Sequence, residues 1–303
     1  MREPVQSVAP PAFPVLVWTT VRRAASGVGH FTVHKPLGAI GLYISLFIIL
    51  LGIFAPVIAT DDPLFQTPMR RLEAPSFEHI FGTDQFGRDI YSRIVYGARV
   101  SLIVAFFAIG IGCTLGFVLG VISGYAGGWI DNVLQRITEV LLAFPTLILA
   151  LLLVIVWGGG LDKVIIALAF VFTPRTLRTI RGHVLSVKVN DYVDAARVIG
   201  AGHIRIMAVH ILPNSMAPYF IVASTLLGAA ILTEATLSFL GLGVPPPHSS
   251  WGRMLAGGAR DYGAIAPWMV MAPGAFITTL VLGFNLFGDA LRDVLDPRLR
   301  GTQ

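Results

Sequence analysis

Few residues in this chain have the types and spacing that chemistry requires. His30 and His34 lie four positions apart, so on a helix their imidazoles could share a metal ion, but no third ligand accompanies them. None of the three lysines follows a glycine, so the phosphate-binding sequence G-x-x-x-x-G-K-S/T is missing, as are G-x-S-x-G and H-E-x-x-H. The single cysteine, Cys113, excludes a disulfide within the chain. The sequence therefore predicts a protein that is not an enzyme, with no catalytic residue, cofactor or metal of its own.

Two carboxylates, Glu139 and Glu234, fall inside long apolar runs. An ionisable group at membrane depth is costly, so each is expected to face a partner or a cavity. Glu139 is nearer the end of its run and is expected to be structural. Glu234 has hydroxyl residues around it, which fits either a hydrogen-bonded structural role or a position on a translocation path. The candidates for a path or gate are Glu234, Thr233, Ser238 and Phe239.

The composition predicts an all-α membrane protein. Hydrophobic residues make up 55% of the 303 and charged residues only 13%, against roughly 25% charged residues in ordinary soluble domains. Several apolar runs reach about 18 residues, which suits membrane helices and is too long for the strands of a barrel. Six transmembrane helices are expected, at 37–60, 100–124, 133–157, 164–174 extended on both sides, 217–242 and 265–288.

The basic residues predict the orientation of these helices. With the N-terminus inside, fourteen of the 22 Lys and Arg fall on the inner side and eight on the outer side, whereas the acids outside the spans divide seven to eight. Cytoplasmic loops carry the excess of Lys and Arg, so both termini are expected in the cytoplasm. Because topology accounts for the net charge of +5, the lipid bilayer is an expected partner and nucleic acid is not.

This topology divides the chain into five parts. They are a cytoplasmic leader (1–36), a first transmembrane helix (37–60), an extracytoplasmic loop with an amphipathic lead-in helix (61–99), a five-helix core (100–290) and a cytoplasmic tail (291–303). The core contains a cytoplasmic loop at 175–214.

Four further patterns concern packing and the membrane surface. Glycines repeat every four residues in the second span, so another helix of this chain or of a second subunit can approach closely; they are Gly112, Gly116, Gly120 and Gly124. Pro145, Pro267 and Pro273 are expected to break or kink their helices. Trp251 is expected to anchor at the membrane interface. The segment 249–262 is expected either to cover the outer mouth as a lid or to pack on the surface.

The stretch DYVDAARVIGAGHIRIMAVHILPN, residues 191–214, is a polar interruption between two apolar runs. Asp191 suits the N-cap or first turn of a short helix. The Gly-Ala-Gly sequence at 200–202 predicts a sharp turn, followed by a second helix that ends at Pro213. One helix face carries apolar and small residues, namely Tyr192, Ala195, Ala196 and Ile199. Such a face suits docking into a cleft of a partner protein, and an ordinary cytoplasmic loop is the alternative.

This stretch resembles the cytoplasmic EAA loop of bacterial ABC-importer permeases, which reads Glu-Ala-Ala, a glycine four residues later, and then Ile-x-Leu-Pro. The matching residues are Asp194-Ala195-Ala196, Gly200 and HILPN at 210–214. Asp194 replaces glutamate and keeps its charge. His210 replaces isoleucine, an ending similar to that of the peptide-importer branch.

Four other segments resemble the second, shorter permease of dipeptide and oligopeptide importers. They are GTDQFGRD (82–89), SGYAGGWID (123–131), LSFLGLGVPPPHSSWG (237–252) and FNLFGDALRDVLDPRLRG (284–301). The resemblance covers 37–301.

The resemblance implies a type I ABC-importer permease fold in the bacterial inner membrane. It implies as partners a second permease subunit, two ATPase subunits that bind ATP and Mg, and an extracytoplasmic substrate-binding protein. It also implies that coupling to the ATPases rests on Asp191, Tyr192, Asp194, Ala195, Ala196, Arg197, Gly200, Ala201 and Gly202.

Several alternatives remain open for the function. The expected cargo is di- and oligopeptides, with nickel chelates, glutathione or another peptide-like solute as alternatives. A secondary transporter driven by an ion gradient through Glu139 or Glu234 is the competing class, although the six spans show no obvious internal repeat. A membrane-embedded enzyme would need a nucleophile, base or metal constellation, which the sequence lacks.

Overall fold

The computed structural model describes Thr32 and residues 35–295. His30, His34, nearly all of the expected leader and most of the expected tail lie outside this range. Twelve α-helices are described: α1 (Pro36–Ile53), α2 (Ala55–Ile58), α3 (Ile90–Ala126), α4 (Gly128–Ala143), α5 (Thr146–Trp157), α6 (Leu161–Val187), α7 (Asp191–Val198), α8 (His203–Ile206), α9 (Leu212–Asn214), α10 (Met216–Phe239), α11 (Trp251–Asp261) and α12 (Trp268–Leu295). A 3-10 turn occupies Pro68–Arg70, a π-helical segment occupies Met207–Ile211, and one isolated β-bridge joins Thr83 to Asp89.

Four of these helices, α1, α3, α10 and α12, are long and apolar enough to cross a membrane. The bent pair formed by α4 and α5 raises that number to as many as five. The fourth expected span, 164–174 extended on both sides, corresponds to α6, which is 27 residues long but carries three arginines in its C-terminal half. An apolar run of about 20 residues makes a helix of about 30 Å, the thickness of the hydrocarbon core. The prediction of an all-α membrane protein is confirmed.

Helix α3 begins ten residues before the predicted second span. Asp89 caps it, because one carboxylate oxygen accepts a hydrogen bond from the Ser92 amide at 2.7 Å. The expected lead-in helix is therefore the first part of α3. Its side chains at Ile90 and Ile94 are fully buried in the main core, so this part does not lie on the surface.

The expected span 133–157 is split into α4 and α5, whose axes differ by 95°. Pro145 has no amide hydrogen to donate to the preceding turn, and it holds Phe144 in an extended conformation. Pro174 lies inside α6 without ending it, and Pro273 lies inside α12 in the same way.

The glycine stripe of α3 packs against α6 of the same chain. A Cβ added at any of its four glycines would lie 2.5 to 2.8 Å from an atom of α6, which is closer than van der Waals contact permits. The atoms approached belong to Ala169, Thr173, Leu177 and Val184. The glycines were predicted to pack either against another helix of this chain or against a second subunit, and packing within the chain is observed. Helices α3 and α6 form a closely packed pair.

The two ends of the helix bundle are named after a short helix that lies at each, as the α11 end and the α7 end. The α11 end carries residues 59–89 and 240–267, where Trp268 donates to the Thr83 carbonyl at 3.3 Å. The α7 end carries α7, α8 and the π-helical segment, where Tyr125 and His203 are hydrogen-bonded at 3.0 Å. Helices α3, α6 and α12 run from the α11 end to the α7 end, and α10 runs back.

Candidate functional site

The predicted helix–turn–helix at the α7 end is present, and we call residues 191–206 the hairpin. The second helix does not end at Pro213 as predicted, because helical backbone continues through the π-helical segment to Asn214. Gly200 adopts a φ of +83°, in the left-handed region that glycine tolerates. The Gly200 amide donates to the Arg197 carbonyl and the Ala201 amide to the Ala196 carbonyl, both at 3.0 Å. This pair of bonds is a Schellman motif, which ends a helix sharply. Gly202 has a φ of −67°, so the turn needs only one of its two glycines.

The hairpin has a buried face and an exposed face, and Ala196 lies on the buried face rather than on the predicted docking face. Val193 and Ala196 are buried in an apolar cluster with residues of α6 and α8, so the Ala196 side chain faces the bundle rather than a partner. The large apolar side chains left exposed are Val198 (87% exposed), Ile199 (83%) and Ile204 (79%). Tyr192 and Ala195 of the predicted face are also exposed.

The charged residues of the hairpin, two aspartates and two arginines, sum to zero. Arg197 donates to Asp194 at 2.7 Å, and both side chains are about half exposed. Asp191 lies in the first turn of α7, while Asn190 occupies the N-cap position without a side-chain bond. The hairpin therefore presents apolar side chains beside one ion pair and two further exposed charges, Asp191 and Arg205.

Side chains of the bundle fix the hairpin in place. Lys188 donates to the Gly124 carbonyl at 2.8 Å, which ties the end of α6 to the end of α3. Tyr125 contacts His203 edge-on as well as by hydrogen bond. Arg181 donates twice to Asp131, at 2.6 Å for each bond, and so joins α6 to α4.

His210 lies in the π-helical segment Met207–Ile211, a conformation that often occurs at functional sites. Its ring packs 6.0 Å from the ring of Tyr192 on α7. Asn214 donates to the His210 carbonyl at 2.6 Å and to the Tyr192 hydroxyl at 3.3 Å, and its own carbonyl lies 3.1 Å from His183 Nε2. The HILPN ending therefore links α7 to α6 and to the start of α10.

Glu234 is fully buried between α3 and α10. Its two carboxyl oxygens accept hydrogen bonds from Ser101 at 3.0 Å and Ser238 at 2.7 Å. Within the described residues, no basic side chain lies within 4.0 Å of it. Thr233 donates to the Ala229 carbonyl of its own helix, at 2.7 Å. Glu139 pairs with Arg136 at 3.1 Å and is half exposed.

The other two path candidates, Ser238 and Phe239, line a cavity of about 520 Å³ at the α11 end. The cavity also has residues of segment 84–93 and of α11 on its wall, including Asp84 and Arg253. The four candidates are thus not one site: Ser238 and Phe239 face the cavity, and Glu234 lies beneath Ser238.

The segment GTDQFGRD forms a closed loop that supports this cavity. Asp84 accepts hydrogen bonds from the amides of Phe86 and Arg88, at 2.8 and 3.0 Å, and from the Arg88 guanidinium at 2.7 Å. Gly87 forms the turn of this loop with a φ of +71°. Asp89 caps α3, whereas Asp84 closes the loop on itself and caps no helix.

Trp251 does not anchor at a membrane interface. Its side chain is fully buried, and the indole donates to the Ile94 carbonyl at 2.9 Å. Gly97 makes room for it, because a Cβ there would lie 2.8 Å from the indole. Helix α11 is therefore packed into the bundle by its buried face, while its other face lines the cavity.

One cluster has the donor atoms for a divalent cation. Ligand atoms of Asp61, His79 and Asp89 lie within 4.8 Å of one another. Asp89, however, already accepts from Ser92 and contacts His79 Nδ1 at 3.2 Å. Arg70 lies 3.3 Å from His79 Nε2, and its hydrogen bond to Glu78 lowers the pKa of that exposed carboxyl. The cluster is a hydrogen-bonded network that fixes the segment 60–90 to the start of α3.

Residues 116–301 match the family described as "Binding-protein-dependent transport system inner membrane component". The chain belongs to this family. It is 46% identical over 264 residues, 87% of this chain and 86% of the relative, to the dipeptide transport system permease protein DppC of Alkalihalophilus pseudofirmus. It is 40% identical over 266 residues, with 87% and 86% covered, to the oligopeptide transport system permease protein OppC of Bacillus subtilis. It is also 40% identical over 269 residues, with 89% and 90% covered, to the probable D,D-dipeptide transport system permease protein DdpC of Escherichia coli.

As a binding-protein-dependent inner membrane component, the protein is a multi-pass bacterial inner membrane protein with a transport role rather than an enzymatic one. Four residues were not among the predicted site residues: the cavity arginines, Arg253 and Arg260, and the linking residues, Tyr125 and Asn214. The sequence could have indicated the two arginines, because their spacing of seven residues places both on one face of α11. The sequence could not have indicated Tyr125 and Asn214, because their links depend on contacts between distant segments.

Proposed function

We propose that this chain is one of the two permease subunits of an ATP-driven peptide importer. Its family membership and the names of its relatives, which include dipeptide and oligopeptide transport permeases, support the substrate class. The partners are a second permease, two ATPase subunits holding ATP and Mg, and an extracytoplasmic binding protein. The chain spans the membrane six times, as α1, α3, α4–α5, α6, α10 and α12, with both termini in the cytoplasm.

The hairpin is the coupling element in this proposal. The observation that carries it is the group of three exposed apolar side chains, Val198, Ile199 and Ile204, on a hairpin held rigidly against α3 and α6. Exposed apolar side chains gathered at one tip favour a protein partner. Because Asp194 pairs with Arg197 and the charges of the hairpin sum to zero, docking depends more on shape and apolar burial than on ion pairs. The coupling residues are those of 191–202, with Ala196 acting through packing.

The mechanism follows from the rigid attachment of the hairpin. Closure of the ATPase pair displaces the hairpins of both permeases. Since α7 is joined to α6 by three residues and α6 packs tightly on α3, the spans move as rigid bodies. This motion closes the pathway at one end of the bundle and opens it at the other.

Transport by the reconstituted complex tests the function. Proteoliposomes carrying both permeases and the ATPases should take up labelled dialanine only under one condition. The loaded binding protein must be on the extracytoplasmic face of the complex, and ATP must be on the face that carries the ATPases. Ionophores that collapse ion gradients should leave this uptake unchanged. Uptake that follows an ion gradient without ATP would show a secondary transporter. Import of a nickel chelate or glutathione without any peptide would show a different substrate class.

A pair of substitutions tests the docking surface. Ile199→Asp places a charge in the exposed tip and should reduce co-purification of the ATPases by about tenfold or more, as expected for a central interface residue. Val189→Asp is the matched control, because Val189 is also exposed (68%) but precedes the hairpin. Equal ATPase retention by the two variants would show that the tip is not the docking surface.

A further inference from the structure

The cavity at the α11 end has the size and walls of a small-molecule site. Its volume of about 520 Å³ falls within the range of roughly 300 to 1,000 Å³ that is usual for ligand pockets. Apolar side chains form part of its wall, among them Phe86, Phe239, Pro246 and Met254. Its floor includes Ser238, whose hydroxyl donates to the buried Glu234. The cavity therefore reaches Ser238, whose acceptor Glu234 also accepts from Ser101 of α3.

The charges of this cavity are unbalanced. Four arginines line it, Arg88, Arg93, Arg253 and Arg260, against two aspartates, Asp84 and Asp261. The formal excess is thus two positive charges. Arg88 and Arg93 share the single carboxylate of Asp84, at 2.7 and 3.6 Å. A solute with a negative charge is favoured over a neutral one of the same shape.

Arg253 and Arg260 with Asp261 contribute one of the two excess charges, and Arg88 and Arg93 with Asp84 contribute the other. Arg253 donates to the Val244 carbonyl at 2.7 Å, and Arg260 contacts the Phe239 carbonyl at 3.4 Å. In the described part of the chain, neither guanidinium has a carboxylate within 4.0 Å. A guanidinium has five N–H donors, so both retain donors for a ligand. They lie seven residues apart on α11, hence on one face, and Gly257 lies between them without a side chain.

We propose that this cavity receives the substrate after it leaves the binding protein, with Arg253 and Arg260 holding the terminal carboxylate of the peptide. The proposal rests on the proposed function and adds a binding site within this chain. Arginine forms paired, charge-assisted hydrogen bonds to a carboxylate, which fixes the orientation of the ligand. The apolar wall takes the side chains of the peptide. The substrate thus waits above the Ser238–Glu234 contact until the bundle opens.

Direct binding tests the site without the binding protein. The assembled complex in lipid nanodiscs is exposed to dialanine or to alanyl-alaninamide, and saturation-transfer NMR records contact. We expect dialanine to bind more tightly than the amide by about tenfold, the effect of one charge-assisted pair. Arg253→Gln and Arg260→Gln should remove that preference. Arg99→Gln, an exposed arginine of α3 outside the cavity, should keep it. Equal binding of the two probes, or no contact with wild-type protein, overturns the proposal.

Transport kinetics separate this site from a docking surface for the binding protein. In proteoliposomes, Arg260→Gln should reduce the maximal uptake of dialanine per ATP hydrolysed by about tenfold. The concentration of loaded binding protein that half-saturates the ATPase should not change. Arg253→Lys should restore part of the uptake lost in Arg253→Gln.

If saturating binding protein restores full uptake, the arginines dock that protein and the proposal is wrong. Uptake equal to that of Arg99→Gln overturns it as well. Wild-type complex that imports no peptide contradicts the proposed function instead.

Discussion

Replacing Gly200 by alanine should loosen the hairpin by a known amount. Gly200 has a φ of +83°, and a Cβ built there meets no atom within 4 Å, so the cost of alanine is backbone strain alone. For a residue with a Cβ this strain is about 1–2 kcal/mol. A cost of that size lowers the population of the closed turn by about 5- to 30-fold relative to an open one. Because no clash contributes, a bulky residue should behave much as alanine does.

Hydrogen exchange measures that population directly. The amide of Ala201 donates to the Ala196 carbonyl only when the turn is closed, so its exchange in Gly200→Ala should accelerate by about 5- to 30-fold. Gly202→Ala is the matched control, since Gly202 also faces open space but has a φ of −67°. Peptide uptake should fall in Gly200→Ala and stay near wild type in Gly202→Ala. Equal exchange rates in the two variants would refute the role assigned to the left-handed turn.

Three further substitutions test the packing of the bundle through the thermal midpoint of the purified protein. Gly116→Leu forces α3 and α6 apart, since even a Cβ would lie 2.6 Å from a carbonyl oxygen of α6, and should lower the free energy of unfolding by about 1–3 kcal/mol. The control is Gly110→Leu, which faces open space and should leave the stability unchanged. Equal midpoints for the two variants would contradict the close packing. Glu234→Leu leaves two buried hydroxyls without their acceptor and should lower the free energy of unfolding by about 1–3 kcal/mol. Glu234→Gln keeps a hydrogen-bond acceptor and should lower it less. A lower midpoint for Glu234→Gln than for Glu234→Leu would contradict the buried network. Trp251→Phe removes the indole hydrogen bond and should cost about 1 kcal/mol, whereas an unchanged midpoint would mean that the bond contributes nothing.

Local features of this protein were predictable because they depend on residues close together in the chain. Asp89 caps α3 and Gly200 forms the turn through contacts within five residues. Apolar runs of about 20 residues fix the four long helices, since a run of that length satisfies its backbone in lipid as a helix and is too long for a barrel strand. The break at Pro145 was also indicated by its missing amide hydrogen, although the angle of 95° depends on how α5 packs and not on the proline itself.

The remaining features depend on contacts between distant segments. Ala196 shares an apolar face with Ile199 in the sequence, yet Ala196 is buried and Ile199 exposed, because the position of α6 decides which part of that face is covered. Trp251 is typical of an interfacial residue by type and position, and only the space left by Gly97 explains its burial. The cavity required residues 84–93, 238–239 and α11 to meet, which no single stretch indicates.

The glycine seam between α3 and α6 also determines how far a small movement reaches. The four glycine contacts extend over about three helical turns. A pair of helices in such close contact resists bending more than either helix alone. Helix α6 has 27 residues, which corresponds to about 40 Å of length. A tilt of about 10° at one end therefore displaces the other by about 7 Å, more than one helical turn. Under the proposed coupling, a movement of the hairpin would therefore reach the start of α3, where Ile90 and Arg93 line the cavity.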